Sequence, residues 1–113
     1  MRILNKTNNI VLAEDILVAD NPFKRMSGLL GRREFLKGQA LLIKPCNSVH
    51  TFFMRFPIDV LFIDKNNQVV KAIPCLKPFR LTYMYLAAGS CLELPCGAIQ
   101  ATSTREGDTL SLE

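Results

Sequence analysis

Four ionisable side chains interrupt otherwise apolar sequence: His50 and Arg55 within "VHTFFMRFPID", Asp59 at its end, and Glu93 inside "CLELP". A histidine with two carboxylates has the groups for general acid/base work, because burial and neighbouring charge tune their pKa values. Arg55, or Arg80 further along, would add a cation for an anionic ligand. Both acids sit in strand-like sequence whose two faces are apolar, and a carboxylate buried there is costly without partners. The structural alternative is that Asp59 accepts backbone N–H groups at a strand start and Glu93 pairs with an arginine.

Other chemistries find less support. Cys46 and His50 are four residues apart, which on a regular strand leaves their side chains on one face but roughly 13 Å apart, too far for a nucleophilic pair. The cysteines, at 46, 75, 91 and 96, follow no C-x-x-C spacing, so no zinc site is expected. Three of them follow or adjoin proline and read as small residues buried at strand ends. No Gly-rich phosphate loop, G-x-S-x-G or H-E-x-x-H occurs. The "FFMRF" stretch mixes aromatic and basic residues but lacks the pattern of an RNA-recognition motif.

These residues need elements to position them. "RILNKTNNIVLAEDILVAD" predicts two or three short strands with a turn at "KTNN". In "NPFKRMSGLLGRREF" Asn21 can cap a helix, Pro22 suits its first position and Gly31 can end it. "QALLIKP", "SVHTFFM", "IDVLFID", "QVVKAIP" and "GSCLELP" then read as strands, with Asn66-Asn67 making a tight hairpin between the third and fourth. A short helix after Gly97, a turn at Gly107-Asp108 and a last strand at "TLSLE" complete the pattern. Alternation places Asp59, Leu61 and Ile63 on one face, with Ile58, Val60 and Phe62 on the other. The expected fold class is α+β: a mainly antiparallel sheet or small barrel-like domain with one or two short helices, forming a single domain over residues 1–113.

Composition agrees with a globular domain. The chain has 113 residues, 49% hydrophobic and 21% charged, with a formal net charge of +4. A balance this mildly basic permits an anionic ligand but lacks the clustered basic face of a nucleic-acid binder. No apolar run approaches the roughly 20 residues of a membrane span, and the N-terminal stretch lacks a signal-peptide core. A soluble, cytoplasmic protein is expected.

The sequence "RMSGLLGR", then "HTFFMRFPIDVLFID", a turn and "VV", then "CLELPCG" and a late "GD", resembles domain-of-unknown-function family 192, small bacterial and archaeal proteins. Phe53, Met54, Arg55, Pro57, Ile58 and Asp59 match its strand motif, and Leu92 to Gly97 its second. Departures are Leu30 for a methionine, Cys96 for the commoner alanine, and asparagine for the hairpin glycine. The resemblance implies a small domain and brings no activity with it. The functional expectation is therefore a domain that binds a small polar or anionic ligand, or serves as an accessory protein, through a pocket near the corner 50–59. His50, Arg55, Asp59 and Glu93 are its ligand-binding candidates, and no cofactor, metal, membrane or nucleic acid is expected. The alternatives are a glycan-type hydrolase using the carboxylate pair, and a structural module without pocket chemistry.

Overall fold

The computed structural model describes residues 1–21, 34–52 and 54–113. The helix expected over "NPFKRMSGLLGRREF" falls largely outside these residues. Among the described residues eight strands are present: β1 (Ile3–Asn5), β2 (Ile10–Ala13), β3 (Asp15–Ala19), β4 (Gln39–Ile43), β5 (Ile58–Ile63), β6 (Val69–Leu76), β7 (Ser90–Pro95) and β8 (Leu110–Leu112). A one-turn helix, Ala98–Ala101, follows β7.

The strands form two sheets, ordered β2-β1-β8 and β3-β4-β7-β5-β6. Pairing is antiparallel except between β3 and β4, which run parallel. The five-stranded sheet has open edges at β3 and β6, so the barrel-like alternative gives way to two open sheets. Closure would need hydrogen bonds between those edges.

Why β5 lies inside the large sheet is legible in its composition. All six of its residues are buried, as expected of β-branched and large apolar side chains covered on both faces. Leu61 and Ile63 join Leu92 and Leu94 of β7 in a core shared with Ile3, Leu12 and Leu110 of the small sheet. Val60 and Phe62 face the other way, into a second core with Val49, Met54 and Cys91. Full burial of a side chain such as Phe62 contributes about 2–3 kcal/mol.

The β5–β6 hairpin turns where expected. Asp64 Oδ1 accepts the N–H groups of Asn66 (2.8 Å) and Gln68 (2.9 Å), and Asn67 takes the left-handed conformation with φ 62°. Asparagine tolerates that region because its short polar side chain bonds locally. A polar cluster locks the small sheet to the C-terminal turn: the Asn5 amide donates to Asp108 Oδ2 (2.9 Å) and to Thr104 Oγ1 (3.3 Å).

The described residues of "SVHTFFM" form no strand. Its alternation is real at Val49, His50 and Thr51, but only His50 makes a bridge, to Leu81. The segment pairs instead with a distant loop, through Thr51 N–H to Arg80 O (2.9 Å), Thr82 N–H to Val49 O (3.0 Å) and Tyr85 N–H to Asn47 O (2.8 Å). Thr51, fully buried, pins this ribbon by donating its hydroxyl to Lys77 O (2.6 Å) and accepting the Arg80 N–H (2.9 Å).

Candidate functional site

Asp59 sits one residue into β5, 0% exposed. A bulge in β6 opposite it shifts the register, with Ile58 paired to Leu76 and Val60 to Ile73. The two residues left over are Pro74, which has no N–H to give, and Cys75, whose N–H turns to the side chain of Asp59. Asp59 Oδ1 accepts from Cys75 N–H (2.7 Å) and Gly97 N–H (3.2 Å), and Oδ2 from Ile99 N–H (2.7 Å). Gly97 presents its amide from a left-handed conformation, φ 101°, which suits glycine best. One carboxylate thus gathers the end of β6, the turn after β7 and the first helical residues.

The same place holds a disulfide, Cys75–Cys96, with Cα atoms 4.8 Å apart. Both cysteines are exposed, which corrects the expectation of small buried residues at these positions. The sulfurs and an Asp59 oxygen lie within 4.8 Å of one another, but sulfurs bonded to each other are not thiolate ligands for a metal. Cys96 stands between two open clefts. One, of about 590 Å³, runs past Glu14, Lys37, Gly38 and Gly97. The other, of about 330 Å³, is lined by Glu34, Phe35, Phe56 and Pro57.

Glu93 lies on the opposite side of the sheet. It pairs with Val60 of β5 and Leu41 of β4, residues of the second core. It is 5% exposed, and among the described residues its Oε2 has no hydrogen-bond partner. No arginine pairs with it there. Burial, reinforced by the nearby Cys46 thiol, pushes its pKa up to about 8, so the carboxyl is mostly protonated at neutral pH. Cys91, also buried, is hydrogen-bonded to Cys46, and this contact together with burial holds its thiol protonated well above the ordinary range. Cys46 in turn donates to Ser48 O (3.1 Å).

His50 and Arg55 are exposed. The imidazole stacks on Phe52, with centroids 5.1 Å apart. Across the ribbon from His50, the loop carries Leu81, Tyr83 and Leu86 at 69%, 83% and 82% exposure, with Phe79 and Met84 also outward. The four candidates therefore occupy three environments: His50 and Arg55 at the surface, Asp59 between the sheets, and Glu93 in the second core. Sequence reasoning did not single out Thr51, the Cys75–Cys96 pair or the exposed loop. The proline before each disulfide cysteine was the one signal available.

Fold and site define a small two-sheet α+β domain in which Asp59 is held by backbone N–H groups and Glu93 Oε2 has no partner among the described residues. The chain belongs to the DUF192 family ("Uncharacterized ACR"), whose profile matches residues 3–112. It is 34% identical to a UPF0127 protein of Pyrococcus furiosus, over 96% of this chain and 95% of that one. A UPF0127 protein of Pyrococcus horikoshii is 30% identical, with 96% of each chain covered. The fold matches a solved protein of unknown function from Novosphingobium aromaticivorans with a TM-score of 0.84, at 14% identity, covering 98% of this chain and 82% of the other. Among the described residues no helix is long and apolar enough to cross a membrane.

Proposed function

We propose that the chain is a binding domain, cytoplasmic and accessory to a partner protein, that docks an acidic, apolar-containing segment of that partner on the ribbon at the corner 50–59. The carrying observation is the exposed apolar loop Phe79–Leu86, held by backbone hydrogen bonds to Asn47, Val49 and Thr51, with Leu81 opposite His50. Contiguous exposed apolar surface of this kind marks an interaction site. Charge names the occupant. Residues 35–58 and 65–92 contain no Asp or Glu, while Arg55, Lys77 and Arg80 lie at or beside the ribbon, so an acidic segment is complementary. His50 and Arg55 face solvent, which suits a surface contact better than an enclosed small-molecule site. Leu81, Met84 and Leu86 favour a protein over single-stranded nucleic acid, because bases stack on aromatic rings rather than on aliphatic chains.

A glycan hydrolase is less well supported. Its acid and base must flank one substrate bond across a cleft, whereas Asp59 and Glu93 point to opposite faces of one sheet.

The test is an NMR titration of the chain with a Glu/Leu-rich amphipathic peptide and its Lys/Leu counterpart. The expected result is that the acidic peptide alone shifts the amides of 50–52 and 79–86, and that Leu81→Ser with Leu86→Ser removes the response. No response, an equal response to the basic peptide, or tighter salt-dependent binding of oligo-dT at the same amides would overturn the proposal. Concentration-dependent dimerisation through these amides would also overturn it, by naming a second copy as the occupant.

A further inference from the structure

We infer that Cys75–Cys96 is a thiol–disulfide exchange site, with Asp59 holding the two cysteines in register in both redox states. This is independent of the ribbon and its partner. Three observations carry it.

Both cysteines are exposed, so a thiol can reach the bond without unfolding the core. Cys96 lies on the rim shared by two open clefts, which gives an attacking sulfur room to approach it. And the two cysteine backbones do not depend on the disulfide for their positions. Asp59 Oδ1 takes the N–H of Cys75 and that of Gly97, the residue next to Cys96. When the sulfur–sulfur bond opens, these hydrogen bonds to a fully buried carboxylate remain. The two thiols then stay adjacent, and closing the bond again is an intramolecular step at high effective concentration. A disulfide acting only as a staple needs no such scaffold.

The substrate class is a thiol. Its thiolate bonds to Cys96 Sγ, the Cys75–Cys96 bond breaks, and its electron pair leaves on Cys75 sulfur, which takes up a proton. A second thiol attacks the mixed disulfide at the substrate sulfur and releases Cys96. The net change is two substrate thiols oxidised to one disulfide and the protein disulfide reduced to two thiols. Run backwards, the dithiol reduces a substrate disulfide. In a reducing compartment the dithiol would be the resting form.

The experiment exposes the folded chain to glutathione buffers of graded ratio and to a reduced cysteine-containing peptide. Alkylation and peptide mass spectrometry then distinguish Cys75 and Cys96 from Cys46 and Cys91. The expected result is that the first pair titrates reversibly while the backbone amide spectrum keeps its dispersion. Given oxidised glutathione or the peptide as its disulfide-linked dimer, Cys75→Ser should accumulate a mixed disulfide, the Cys96 thiolate bonding to one sulfur of the added disulfide and releasing the other as a thiol; its formation with one of the two alone says which kind of thiol the clefts admit. Asp59→Asn, which keeps one acceptor oxygen, should move the equilibrium toward the dithiol by about tenfold. A bond that resists both thiols in the folded chain, or opens only when the whole spectrum collapses, would overturn the inference. So would a Cys75→Ser chain that stays folded and forms no mixed disulfide with either added disulfide. An unchanged equilibrium in folded Asp59→Asn would overturn the role given to Asp59.

Discussion

Asp59 and Glu93 lie one register step apart on neighbouring strands and point to opposite faces of one sheet: Asp59 is opposite Leu94, and Glu93 is opposite Val60. One acid is surrounded by backbone donors, and the other has an oxygen without a partner among the described residues. Identical chemistry is thus used in two ways, and the consequences can be measured separately.

Removing the first should be expensive. Asp59→Ala orphans the buried N–H of Ile99 and the part-buried ones of Cys75 and Gly97, so a loss of about 2–4 kcal/mol is expected in urea unfolding. Arg55→Ala, at an exposed position, should stay within about 0.5 kcal/mol of the parent. Equal midpoints for the two variants would contradict the account of Asp59.

Glu93 sets a pH dependence. Its folded pKa, about 8, lies above its unfolded value near 4.5, so between these the folded chain binds more protons than the unfolded one. Its contribution is fully present below the unfolded pKa, falls as pH rises, and is lost above about pH 8. The change is on the order of several kcal/mol. Glu93→Gln should flatten this part of the stability profile; a slope unchanged by the substitution would refute the assignment.

Opening the disulfide should weaken the fold without abolishing it. The two cysteines are 21 residues apart, and losing a loop of that size costs about 3 kcal/mol through the unfolded chain. Cys75→Ser with Cys96→Ser, compared with the oxidised parent by denaturant midpoint, gives the number directly.

Gly97→Ala isolates a backbone cost. A Cβ there would meet no atom within 4 Å, so the expected loss, about 1–2 kcal/mol, comes from the left-handed conformation alone. Gly97→Asn should lose less, since asparagine tolerates that region. A loss as large as that of Asp59→Ala would mean that a contact had been missed.

Much of the fold could be read from local pattern. The β5–β6 hairpin and β7 announce themselves by short apolar runs bounded by turn residues, Asn66-Asn67 among them. The error at "SVHTFFM" has a physical source: alternation reports which side chains are buried, and Val49 and Thr51 are, but a strand also needs a ladder of partners. The partner here is a loop some thirty residues later, and it supplies one bridge only. The disulfide was hidden for a similar reason. Cys75 and Cys96 become neighbours because β6 and β7 flank β5, where Ile58 pairs with both Leu76 and Pro95. That adjacency is a property of strand order, which no local window contains. The acids were correctly singled out as needing partners; that they look away from each other depends on register.

The placement of these two acids gives them separate surroundings. Glu93 lies on one side of the β5–β7 ladder, and Asp59, which holds the disulfide cysteines, faces the other. With separate partners and separate cores, their effects on stability should add. A single sheet, no thicker than its own backbone, thus stands between a protonatable acid and the carboxylate that holds the disulfide.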